Sequence, residues 1–196
     1  MKRFSIFAMV VILLGSLFSV SVSSANSLEV KNVGFVISTK LTIRDYPSRN
    51  ANEVKSLKNG DYVLIVGPEY YNKNSDDYFY QVISRQSWEK GERNPEGYVL
   101  KQHIKEGLKQ WVTLPTLTDI LVRPGSDKAV GSRSTNNTMV ILDETTTYNT
   151  NQKNYEYWWI VQMQDQYGGA GFIKKDLVST PWTRPEDLEF YYSVFK

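Results

Sequence analysis

One pattern is written twice in this chain, and that limits its possible folds more than any other feature. Ile43-Arg44 recurs as Val122-Arg123, and Tyr80-Gln81-Val82 as Trp159-Ile160-Val161, at one offset (123 − 44 = 79 and 161 − 82 = 79). The run Gly97-Tyr98-Val99-Leu100-Lys101-Gln102-His103-Ile104 is echoed by Gly171-Phe172-Ile173-Lys174-Lys175-Asp176-Leu177-Val178 at 171 − 97 = 74. The first copy therefore carries five extra residues (79 − 74 = 5) between Val82 and Gly97. Solenoid units repeat every ~20–50 residues, so a longer period predicts a duplicated small domain. A duplicated module with no third part points to binding.

Both copies read as short strands. Leu41 and Ile43 alternate with Thr42 and Arg44, the period-two pattern of a half-buried strand, and Tyr46-Pro47-Ser48-Arg49-Asn50 follows as a turn-rich stretch. Asn59-Gly60 is a turn signal, Tyr62–Val66 a strand ended by Gly67-Pro68, and Gly97–Leu100 the last clear strand. In the second copy the order is Ile120/Val122, Pro124-Gly125-Ser126, Met139–Leu142, then Trp159/Val161/Met163 and Gly171-Phe172-Ile173. Turn-punctuated strands without a helical period predict a small barrel or sandwich. Thr183-Arg184-Pro185-Glu186 has capping-box form, and Leu188, Tyr191/Tyr192 and Phe195 recur at helical spacing. A short helix is expected there, docked on the second barrel.

Met1 to Ala25 has the form of an export signal: Lys2-Arg3, the apolar run Ile6–Leu14, then Ser23-Ser24-Ala25. The alternative is an uncleaved anchor, but Ser5, Gly15, Ser16 and Ser19 dilute the apolar stretch. A secreted or periplasmic protein is expected, without stable membrane insertion after signal removal. The chain has 23 basic against 21 acidic residues; losing Lys2 and Arg3 leaves 23 − 2 = 21, a formally neutral product. Nucleic-acid binding draws its affinity from a basic surplus, which is missing, as is the polybasic surplus of a membrane-surface protein. There is no cysteine, so disulfides, common in small exported domains, cannot staple the halves.

Four motifs in order resemble the bacterial SH3-like domains of exported cell-envelope proteins. They are Leu41-Thr42-Ile43-Arg44-Asp45-Tyr46-Pro47, Val54-Lys55-Ser56-Leu57-Lys58-Asn59-Gly60, Tyr80-Gln81-Val82, and Gly97 to Ile104. The second copy departs from the pattern: Pro124 directly follows Arg123, and Asn136-Asn137 stands where Gly60 does. The resemblance implies an all-β protein of two tandem small SH3-like barrels with a short C-terminal helix. It also implies attachment to peptidoglycan or another wall component, with no activity attached. The expected organisation is a signal over 1–25, a first barrel over 26–108, a linker over 109–117, a second barrel over 118–180 and a helical tail over 181–196.

The composition argues against catalysis. Without cysteine there is no thiol nucleophile, and the single histidine, His103, makes neither a multi-histidine zinc site nor a His-paired dyad. The adjacent carboxylates Asp76-Asp77 and Asp143-Glu144 would point to opposite faces of an extended backbone. The loop 72–77 lacks the glycine and closing glutamate of a calcium loop, so neither metal nor other cofactor is expected. Aromatic clusters flanking polar loops are the better candidates: Tyr70-Tyr71 with Tyr78-Phe79-Tyr80, and Tyr148 with Tyr155–Trp159. Tyr80 and Trp159 are expected inside; Tyr70, Tyr78, Trp88, Tyr155 and Trp158 are expected to be exposed and ligand-binding. Aromatic faces rimmed by amides suit sugars and short peptides. The expected function is non-enzymatic binding of peptidoglycan peptide stems. The other readings are an envelope adaptor or inhibitor holding a partner's extended peptide, and a hydrolase using Asp76 or Asp143.

Overall fold

The computed structural model describes residues 28–133, 135–163 and 169–196; the predicted export signal lies outside the described residues. The first half forms β1 (Asn32–Val36), β2 (Lys40–Arg44), β3 (Glu53–Lys58), β4 (Tyr62–Asn72), β5 (Asp77–Ser84), a helical turn α1 (Arg85–Glu89), β6 (Gly97–Leu100) and β7 (Ile104–Glu106). The second half forms β8 (Gln110–Thr113), β9 (Thr118–Leu121), β10 (Ala129–Arg133), β11 (Thr138–Asn149), β12 (Asn154–Gln162), β13 (Ala170–Lys174) and α2 (Pro185–Val194). The protein is all-β with one short C-terminal helix. Two antiparallel sheets run β3-β2-β6-β5-β4-β1-β7 and β10-β9-β13-β12-β11-β8. Substituting β8 for β1 and each later strand for its counterpart turns the first order into the second, less β7.

Register confirms the duplication. Val82 faces Gly97 on β5–β6, and Val161 faces Gly171 on β12–β13. One match must be moved. Arg44 pairs with Tyr98, whereas Phe172 pairs with Leu121 and not with Arg123. The counterpart of Ile43 is therefore Ile120, and both are fully buried, whereas Val122 is 41% exposed. A slip of two residues preserves the face a side chain occupies, so alternation alone could not reveal it.

Leu57 on one edge strand and Ile104 on the other belong to a single apolar cluster with Ile43, Val63, Tyr80, Val82 and Val99. The first sheet therefore curls into a barrel-like shell around that core. The second encloses Val112, Ile120, Ile141, Val161 and Ile173 in the same way. A third cluster joins the halves: Val33, Phe35, Tyr62, Leu64 and Ile83 meet Trp111, Val140 and Phe190. Successive residues of β4 thus point alternately into the first shell and into this shared core. Burial on both faces explains the unbroken apolar runs Tyr62–Val66 and Met139–Leu142, since a strand covered on one side alternates with polar residues.

Four local expectations change. Gly67-Pro68 does not end its strand: β4 continues to Asn72 through a register shift between Ile65 and Glu69, and a bulge is where a strand interior tolerates proline. The stretch 109–117, expected to be a linker, supplies β8, which pairs with β11 as β1 pairs with β4. The C-terminal helix does not take the predicted capping box. Its cap position is Arg184, with no side-chain bond and Pro185 in the first turn; the Arg184 guanidinium lies 3.8 Å over the Trp111 ring instead. Nor does it dock on the second shell alone. Phe190 sits 5.6 Å from the Tyr62 ring of the first half, under the Arg85 guanidinium. Asn136 takes a positive φ (65°) in the second half, as Gly60 does (82°) in the first.

Candidate functional site

A cleft of about 660 Å³ opens between the two halves. One wall is the end of β7 and the chain after it, with Lys105, Glu106 and Leu108; the other is β11 and β12, with Asp143, Glu144 and Trp159. Edge strand β7, which has no counterpart among the described residues of the second sheet, thus borders the cleft. Lys105 spans it to Asp143 at 3.6 Å. Glu106 accepts hydrogen bonds from the Tyr80 hydroxyl and, at 2.7 Å, from the Asn32 side-chain amide. Burial, then the bond to Glu106, pushes the Tyr80 phenol up to about 12.

An arrangement of three side chains is present in both halves. Glu69 stands directly across the strand pair from Tyr80, and Lys101, in the helical turn after β6, pairs with Glu69 and lies 5.5 Å from the Tyr80 ring. Glu144 stands across from Trp159, and Lys175, in the matching turn after β13, pairs with Glu144 and lies 3.8 Å over the Trp159 ring. In each half an ammonium is held between a carboxylate and an aromatic face, pinning the turn to the long hairpin. The second copy faces the cleft through Glu144 and Trp159.

The five aromatic residues expected to form the binding surface do not converge. Tyr70 is half-buried, edge-on to Tyr98 at 5.0 Å. Tyr78 faces Tyr71 across the hairpin at 4.9 Å, and since Tyr70 pairs with Phe79, Tyr70 and Tyr78 lie on opposite faces. Tyr155 is 64% exposed and packs on Tyr148 at 5.2 Å near the second hairpin's tip. Trp88 is partly buried against the shared core, with the Arg93 guanidinium 3.7 Å over its ring. Trp158 is 2% exposed. It is the counterpart of Phe79, donates its indole N–H to Thr147 at 3.0 Å and lies under Lys174. Trp159, expected to be buried, is the tryptophan that lines the cleft. Both faces of β12 are covered at Trp158, so period two could not tell the rings apart.

Each carboxylate of the two adjacent pairs has its own partner. Asp77 receives two bonds from Arg49, at 2.6 and 2.7 Å, while Asp76 accepts from Tyr71. Asp143 meets Lys105 and Glu144 meets Lys175. Burial, then the charge of Arg49, holds the His103 imidazole below its ordinary value, while Asp77 pulls the other way. A further polar cluster lies elsewhere. Lys55 donates to Ser84 at 2.7 Å, Ser87 at 3.3 Å and Glu96 at 3.0 Å. An ammonium has three donors, and all are spent here, so Lys55 is arranged to tie α1 down and not to take the Ser84 proton. Burial pushes the Glu96 carboxyl up, but bonds from Ser87, Ser84 and Lys55 outweigh it and leave the group below its ordinary value.

No family model matches the chain, and no curated protein matches it. Among solved structures it is similar to NlpC2 from Trichomonas vaginalis, at 17% identity over 77% of this chain and 48% of that one, with a TM-score of 0.29. It is also similar to NlpC1 from the same organism, at 18% identity over 85% and 52%, with the same score. The chain spans about half the length of either, and an overlap this loose carries no argument about activity.

Proposed function

We propose that this is an exported, non-catalytic binding protein that holds the peptide stems of cell-wall peptidoglycan in the cleft between its halves. The observation that carries the reading is the lining of that cleft: carboxylates, a lysine and side-chain amides surround the partly exposed ring of Trp159 beside edge strand β7. Short wall peptides present both carboxylates and amines along an extended backbone. Such a ligand needs groups of both signs to read its ends and an aromatic face to cover its apolar parts, and an edge strand offers main-chain pairing. The resemblance of the four ordered motifs to wall-targeting SH3-like domains supports the same reading.

The test is co-sedimentation with purified sacculi, alongside the variants Glu144→Gln and Trp159→Leu. The proposal expects the native protein to pellet with the wall and each variant to do so at least threefold less. A native protein that stays in the supernatant while a known wall binder pellets would overturn it. Recovery of a stoichiometric envelope protein, insensitive to wall digestion, would instead favour an adaptor that holds a partner's extended segment along β7.

A further inference from the structure

A second cavity, about 330 Å³, lies on the first half, away from the cleft, between β3, the turn before β4, and α1. Three cations line it: Lys55, Arg85 and Lys109. Two are already matched. Lys55 is paired with Glu96, and Arg85 with Glu89 at 2.6 Å and Asp187 at 3.8 Å. Of the lining acids, Glu89 is held by Arg85, whereas Asp61 accepts the backbone N–H of Lys58 at 2.8 Å and enters no ion pair among the described residues.

Lys109 is the exception. Its ammonium donates to the Gly60 carbonyl at 2.8 Å and lies 4.3 Å over the Tyr62 ring. It enters none of the ion pairs among the described residues. With three donors on an ammonium and one used, two remain to face the cavity. Burial, helped by Arg184 and Arg85, lowers the affinity of this amine for its proton against the pull of Asp187 and Asp61. A partly desolvated cation that makes no direct ion pair gains more from an incoming negative charge than an exposed lysine does.

We infer that Lys109 anchors a separate site for a small oxyanion, a carboxylate or a phosphate, held between the Lys109 ammonium and the Arg85 guanidinium. This site shares no residue with the cleft and does not depend on the function proposed for it. Lysine serves such a ligand as a point charge, and the guanidinium adds directional bonds.

The experiment is a nuclear magnetic resonance titration of the whole protein at constant ionic strength. The probes are N-acetyl-alanyl-alanine, its C-terminal amide and inorganic phosphate, with chloride as the reference. The expected result is a saturable shift of the Lys109 ammonium and Tyr62 ring resonances with the free acid, with phosphate, or with both, and none with the amide. Response to the acid alone assigns the site to a peptide C-terminus; response to phosphate alone assigns it to a phosphoryl group. Lys109→Gln should weaken binding at least tenfold, and Lys109→Arg should retain most of it. The inference is overturned if the amide or chloride reproduces the shifts, if no probe moves these resonances, or if Lys109→Gln binds like the native chain. Should Lys109→Gln fail to fold, the acid–amide comparison on the native protein decides alone.

Discussion

Replacing Phe190 by alanine tests whether the two halves are one cooperative body. Phe190 is 4% exposed and contacts the shared core through Tyr62, with the Arg85 guanidinium 4.5 Å from its ring centre. Truncating a core phenylalanine costs about 3–5 kcal/mol. The helix is terminal and can settle into part of the space, so the lower end applies: about 3 kcal/mol, including about 0.5–1 kcal/mol of lost cation–π contact. For a domain of 150–250 residues this lowers the melting temperature by about 6–12 °C, at about 2–4 °C per kcal/mol. Urea unfolding should be followed by circular dichroism and by resolved amide signals at Val82 and Val161, one inside each shell. Both signals should lose stability together along a single transition, because Trp111 and Val140 of the second half pack in the same cluster. A loss below about 1 kcal/mol, or a Val161 signal that keeps its native midpoint, would refute the shared core as the element coupling the halves.

The repeat supplies an internal control in Gly97→Ala and Gly171→Ala. A methyl at Gly97 would lie 2.2 Å from the Arg44 carbonyl oxygen at φ 150°, whereas at Gly171 it meets the movable Ile120 side chain at 2.3 Å; strain at such a backbone costs about 1–3 kcal/mol, so the first variant should melt lower, and equal melting temperatures would contradict the contrast. Bonds from Arg49, with burial opposing them, hold the Asp77 carboxyl down to about 2. Its stabilising effect is therefore present above the unfolded value of about 3.9 and lost as pH falls towards 2; Asp77→Asn should flatten the stability profile there, and an unchanged acid slope would count against the pairing. Glu106→Gln should bring Tyr80 ionisation from about 12 towards the ordinary ~10 in an ultraviolet titration; no movement would show burial acting alone.

Much of this architecture is readable in the residues, and its failures have physical causes. Gly97 and Gly171 anchor the repeat correctly because each closes against the neighbouring strand, a role few side chains can fill. The apolar pair at β9 is misread by two positions because a two-residue slip leaves the buried face unchanged. Gln110–Thr113 reads as connection because a four-residue strand is too short to display a period. The signal for the join between the halves was present in the consecutive apolar residues of β4 and β11, which one-sided burial cannot explain. Leu188 and Tyr191/Tyr192 announced a helix, but spacing along one element says nothing about which neighbour receives it. The candidate site was the least legible part: the cleft takes Glu106, Asp143, Glu144 and Trp159 from separated strands, and only the fold brings them together.

β7 ends at Glu106 and β8 begins at Gln110, so three residues, 107–109, connect one half to the other. With so short a tether and a common interior, neither copy can be cut out, shuffled or inherited alone without baring Phe35, Tyr62 and Trp111 to water. The two copies therefore form a single heritable piece, and any graft into another protein must carry both copies and the closing helix together.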